Sequence, residues 1–202
     1  MSYYPTRRAS GMTLVELLLA MSMTSIITLT ASAMLSAVTY GSGERTDLRG
    51  LVVRQELISH RIAAAIRASR QVLESDNNQL VLWISDANND QTAQLSEVRW
   101  IEFDSDTTLI SSITLAFPDA WTTEQIQAVD KDYVDGSSRT VQTAALTTYV
   151  ANEAWADQVS DWLISPGSST AAQSTLVSYR VTFSLTGKQP QTVIGAAALR
   201  SQ

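Results

Sequence analysis

GMTLVELLLAMSMTSIITLTASAMLSAVTYGSG, residues 11–43, decides how the rest of the chain is read. From Leu17 to Gly43 there is no charged residue, a run of twenty-seven positions. As a helix that run covers roughly 40 Å, more than the roughly 30 Å hydrocarbon core of a bilayer. Ser22, Thr24, Ser25, Thr28, Thr30 and Ser32 dilute its apolar character, but their hydroxyls can bond to carbonyls within a helix. Arg7 and Arg8 precede it, so the positive-inside rule keeps that end in the cytoplasm and sends the remainder across the membrane. Three ordinary readings compete. Ala31-Ser32-Ala33 would serve as a signal-peptide cleavage site, Thr6-Arg7-Arg8 suggests a twin-arginine signal, and the length alone fits a plain anchor. None of the three explains Glu16, a carboxylate at the head of the apolar run that costs about 2.5–3.5 kcal/mol in hydrocarbon without a partner.

The bulk composition narrows the function. The 202 residues carry 14 basic and 20 acidic side chains, a net charge of −6, which disfavours nucleic acid as a partner. There is no cysteine and one histidine, His60, so thiolate metal sites, cysteine nucleophiles and a Ser-His-Asp triad have little material. An enzyme is disfavoured. His60 lies in a helical stretch beside Arg61 and reads as a solvated or sheet-contacting side chain.

The run Gly11-Met12-Thr13-Leu14-Val15-Glu16-Leu17-Leu18, after a short basic leader, resembles the prepilin cleavage and methylation motif of type IV pilins and type II secretion pseudopilins. The resemblance implies cleavage after Gly11 by a prepilin peptidase and N-methylation at Met12, here in place of the commoner Phe. Glu16 would then be the fifth residue, and its carboxylate would meet the processed amino terminus of a neighbouring subunit, setting the register of assembly. Loss of Arg7 and Arg8 leaves twelve basic against twenty acidic residues, or −8. The implied domains are a leader 1–11, a transmembrane and assembly helix 12–43, and a periplasmic domain 44–202 that begins with helix 44–70. The implied protein is a minor subunit, of J-type or W-type, single-pass in the inner membrane and then part of a pseudopilus or pilus. Its partners would be the peptidase and methylase, other pilin subunits and secreted cargo. An exported enzyme or binding protein with an amino-terminal signal, or a DNA-uptake minor pilin, are the alternatives.

Beyond the apolar run, Gly41-Ser42-Gly43 predicts a bend. Leu48, Leu51, Val52, Ile58, Ile62, Ala65 and Ile66 then recur at helical steps, with Arg49, Arg54, Glu56, Arg61, Arg67 and Arg70 mostly on the other face. After the turn former Ser75-Asp76-Asn77-Asn78, strands are predicted at Leu80–Ser85, Val98–Asp104, Leu109–Phe117, Leu176–Leu185 and Thr192–Leu199. Thr122-Thr123-Glu124-Gln125 predicts a helix start, and Leu146, Val150, Trp155, Val159 and Trp162 give Val141–Leu163 a helical spacing. The fold class is therefore α+β, a long helix on an antiparallel sheet domain. Trp83, Trp100, Trp121, Trp155 and Trp162 read as core and sheet-packing residues.

One loop carries oxygen ligands at calcium spacing. Asp86, Asn88, Asp90, Thr92 (through its carbonyl), Gln94 and Glu97 occupy positions 1, 3, 5, 7, 9 and 12 of a segment that resembles EF-hand and dockerin loops. A structural calcium ion is the cofactor this implies. Position 6 is Gln91 where glycine is expected for a positive φ, and the flanks read as strands. A polar hairpin loop is the competing reading. Asp130, Asp132 and Asp135 form a second acidic group, read as a solvated turn.

Overall fold

Residues 14–68 hold no proline, and their leucine, methionine, alanine and arginine content favours helix over much of the stretch. The computed structural model describes residues 13–76, 78–184 and 189–200, with 37–48 as backbone only. Helix α1 runs Leu14–Ala68, 55 residues. The bend predicted at residues 41–43 is absent, since the helical backbone continues through them. Two glycines cost about 1 kcal/mol each, and propagation from helix on both sides outweighs that. The chain divides after Val52 into two compact units.

In the second unit, Ile58, Ile62, Ala65 and Ile66 of α1 are buried, as their three- and four-residue steps predict. Val52 is 62% exposed instead of joining them. Six residues before Ile58 falls about 120° round the helix from that stripe. The arginines on the other flank tie the helix down. Arg54 meets Asp157 at 3.2 Å and Gln158 Oε1 at 2.7 Å, and Arg61 meets Glu153 at 3.4 Å.

Strands β1 (Gln71–Ser75), β2 (Gln79–Trp83), β3 (Val98–Asp104), β4 (Leu109–Leu115) and β5 (Val150–Ala156) form an antiparallel meander in that order. Strands β6 (Val159–Pro166), β7 (Leu176–Phe183) and β8 (Gln191–Ala198) make a second antiparallel sheet. One face of the larger sheet buries Val81, Val98, Trp100, Ile113 and Leu115 against Leu95 and Leu146 from the connecting segments. The other face buries Leu80, Leu82, Ile101 and Ile110. In the smaller sheet the alternate residues Val177, Tyr179, Val181 and Phe183 are buried. Helix α2 (Thr123–Val129) starts where predicted, with Thr122 as cap: Thr122 N–H donates to Gln125 Oε1 at 2.8 Å, and Gln125 N–H donates to Thr122 Oγ1 at 3.4 Å.

The helical reading of 141–163 is corrected. Apart from the short helix α3 (Arg139–Gln142) and one 3-10 turn, the segment is β5, a corner and β6. Two irregularities imitate a helical period. A corner at Asp157-Gln158, with Gln158 at φ 60°, separates Trp155 from Val159, and a bulge between Val159 and Asp161 sets Val159 and Trp162 three apart on one face. β1 was not predicted either, because its own bulge between Val72 and Glu74 breaks the alternation.

Candidate functional site

The apolar helix begins on a capping box. Thr13 immediately precedes α1, and Glu16 is the third helical residue. Glu16 N–H donates to Thr13 Oγ1 at 3.3 Å, while Thr13 N–H and Thr13 Oγ1 each donate to Glu16 Oε2 at 3.4 Å. The carboxylate therefore sits at the positive end of the helix dipole and satisfies the Thr13 amide, which has no carbonyl partner within the helix. Sequence reasoning missed this role for Thr13, although Thr-x-x-Glu before an apolar run is its standing signal. Gly11 and Met12, the implied processing residues, lie outside the described residues.

From Leu14 to Ser36, 23 residues, the helix is long and apolar enough to cross a membrane, with mean hydropathy 1.8 over its most apolar 18 residues. Its hydroxyls are turned inward on the backbone. Ser22 donates to Leu19 O at 2.8 Å, Thr24 to Ala20 O at 2.7 Å, Ser25 to Met21 O at 2.8 Å, and Thr28 and Thr30 behave likewise. A hydroxyl satisfied this way costs far less in hydrocarbon than a free one.

The loop 86–97 is ordered by its own donors. The Asp86 side chain is wholly buried, and its carboxylate takes Arg70 Nη1 at 2.8 Å. Arg70 in turn lies 4.8 Å over the Trp83 ring. Among the described residues Asp86 Oδ1 has no hydrogen-bond partner. Glu97 accepts from Trp83 Nε1 at 3.1 Å, from the Ala87 N–H and from Gln94 N–H at 3.4 Å. Asp90 accepts from Asn88 Nδ2 at 2.7 Å, Thr92 N–H at 2.8 Å and Gln94 Nε2 at 3.4 Å. Gln91 does adopt φ 62°, the conformation for which glycine was expected. The backbone thus turns as such a loop requires. The carboxylates of Asp86, Asp90 and Glu97, however, face separate sets of N–H donors. Among the described residues no three His, Cys, Asp or Glu side chains are grouped to hold a metal ion. In this conformation the donor set does not fit a calcium ion.

Residues 130–133, within the second acidic group, clamp that loop. Leu95 N–H donates to Lys131 O at 2.8 Å, Tyr133 N–H to Ala93 O at 2.7 Å and Ser96 N–H to Asp130 Oδ1 at 3.3 Å. Tyr133 donates its hydroxyl to Glu74 Oε2 at 2.8 Å. Burial first, then that hydrogen bond and the Glu74 charge, push the phenol above its ordinary value of 10.0. His60 is exposed. Trp83, Trp100, Trp155 and Trp162 are buried, and half-buried Trp121 stacks on Phe117 with ring centroids 5.6 Å apart.

An apolar amino-terminal helix leading into an antiparallel sheet domain defines an α+β architecture consistent with the pilin fold. Residues 6–32 match the family model described as the prokaryotic N-terminal methylation motif. That match supports a type IV pilin-like protein, a structural subunit rather than an enzyme, processed by a prepilin peptidase and assembled with other pilins. No curated protein and no solved structure matches the chain.

Proposed function

We propose that the chain is a minor pilin or pseudopilin, of the larger J-type or W-type, which enters a type II secretion pseudopilus or a type IV pilus at or near its tip. Residues 1–11 act as a leader removed after Gly11, Met12 becomes the N-methylated terminus, and 12–43 anchor the subunit in the inner membrane. Residues 44–202 form the periplasmic domain that meets other subunits or cargo. The observation that carries the reading is the carboxylate of Glu16 placed at the very start of the Leu14–Ser36 span.

The capping box explains how Glu16 is tolerated before assembly, since Thr13 supplies its carboxylate with two donors at 3.4 Å. Those bonds are long and leave the charge itself unneutralised. A processed ammonium group on a neighbouring copy of the motif meets that charge and fixes one axial offset between helices. Cap and ion pair separate cleanly by substitution, because a capping box works with Gln as well as Glu. Glu16→Gln keeps the cap and removes the charge. The variant is expected to be inserted in the membrane like the wild type yet to be absent from sheared filament fractions. Normal incorporation of Glu16→Gln would leave Glu16 as a helix cap alone.

A further inference from the structure

The four sheet edges differ in how they meet solvent. β1 has an extra residue between Val72 and Glu74, β5 has one between Ala154 and Ala156, and β6 has one between Val159 and Asp161. Each of these edges also carries a carboxylate, Glu74, Glu153 or Asp161. Bulges and charges are the devices by which natural sheets refuse a further strand. β8 has neither. It pairs with β7 over eight residues without a shift, and no charged residue occurs from Gln189 to Leu199.

The hydrogen-bonding phase of this edge follows from one bond. Leu199 N–H donates to Thr175 O at 2.9 Å, which makes 175 and 199 a hydrogen-bonded pair in the register that opposes Leu176 to Ala198. Antiparallel pairs alternate in type. The amides and carbonyls of Thr192, Ile194, Ala196 and Ala198 therefore point away from β7. Among the described residues none bonds to them, and Ile194 is 75% exposed. Donors and acceptors repeating at every second residue are matched by an extended backbone.

We propose that β8 is a self-association edge, on which a second copy of this chain lays its own β8 antiparallel to give a continuous six-stranded sheet. The strand is complementary to itself in the register that sets Gly195 opposite Gly195 of the second copy. Ile194 then meets the small Ala196, and Thr192 meets Ala198, so each larger side chain faces a smaller one. Arg200 falls opposite Pro190, so no like charges meet at the seam. This interface lies wholly within the folded unit 53–202 and uses no residue of the first unit, where Glu16 lies.

The test uses the full chain in detergent, with its mass measured by light scattering across a concentration series. The wild type is expected to be a dimer. Ile194→Pro removes one outward amide without touching the β7 ladder, and Ile194→Lys puts a charge on the seam. Both are expected to weaken dimerisation at least tenfold with circular dichroism and Tm close to wild type. The chain has no cysteine, so Ile194→Cys with Ala196→Cys is expected to give a covalent dimer on oxidation. Facing residues of a hydrogen-bonded pair lie about 5.5 Å apart, within disulfide reach. A monomeric wild type overturns the proposal and leaves the edge to another protein's strand. A dimer that survives both Ile194 variants overturns it too, and assigns the contact to another surface such as the membrane helix.

Discussion

Gly195 allows the most closely worked prediction. A Cβ there would lie 2.3 Å from Tyr179 Oη, 2.4 Å from Cζ and 2.8 Å from Cε2. The Tyr179 ring crosses directly over its strand neighbour Gly195 and is 3% exposed. Beyond the glycine its hydroxyl donates to Ser59 O at 3.0 Å and accepts from Ser59 Oγ at 2.9 Å, latching β7 to α1. Gly195→Ala forces the ring aside. Two hydrogen bonds are lost at about 1 kcal/mol each, and forcing a methyl into a filled site costs about 1–3 kcal/mol more. The expected destabilisation is about 4 kcal/mol. Tyr179→Phe loses only the bonds, about 1–2 kcal/mol. Because the ring carbons Cζ and Cε2 still clash, Gly195→Ala should remain costly in the Tyr179→Phe background. In a Tyr179→Ala background, already weakened by its cavity, it should add almost nothing. The assay is urea unfolding of the full chain in detergent, followed by tryptophan fluorescence. A Gly195→Ala change under about 0.5 kcal/mol, or the same cost whether or not Tyr179 is present, would refute the close approach as the reason for this glycine.

Three further outcomes follow from particular contacts. Arg70→Ala strands the buried Asp86 carboxylate and should cost about 3 kcal/mol, more than Asp86→Asn, by the same unfolding assay. Because the carboxylates of Asp90 and Glu97 are already taken up by N–H groups and Asp86 Oδ2 by Arg70, removal of calcium by a chelator should leave Tm unchanged. A calcium-dependent rise in Tm that Asp86→Ala abolishes would show instead that the loop regroups around an ion. Tyr133 is held neutral in the fold, so its contribution is complete below the ordinary tyrosine value near 10 and is lost as pH rises above it. Ultraviolet titration should show a resistance to ionisation that Tyr133→Phe removes, and the same substitution should reduce the alkaline loss of stability.

Much of the architecture could be read from local pattern. The clean alternation of Val177, Tyr179, Val181 and Phe183 marks β7, and the steps through Ile58, Ile62 and Ile66 mark the buried stripe of α1. The reading failed where a bulge or corner shifts the phase of burial. Val159 and Trp162 share an inward face only because Ser160 is an extra residue, and no propensity rule places that residue. At the helix start, Thr13 and Glu16 were legible as part of a processing motif, while the same three-residue spacing also encodes a cap. The partner of Asp86 was not legible. Arg70 is sixteen residues away and reads as a carboxyl-terminal helix charge until β1 and β2 fold it over Trp83.

What happens to the first residues matters most. Intact-mass and amino-terminal analysis of the chain isolated from membranes of cells that contain a prepilin peptidase decides the matter. The expected species begins at Met12, carries one methyl group on its amino nitrogen and shifts to the uncleaved chain when Gly11 is replaced by a bulkier residue. A chain that begins at Met1, or near Ser32 or Met34 as signal-peptide cleavage would give, would contradict it.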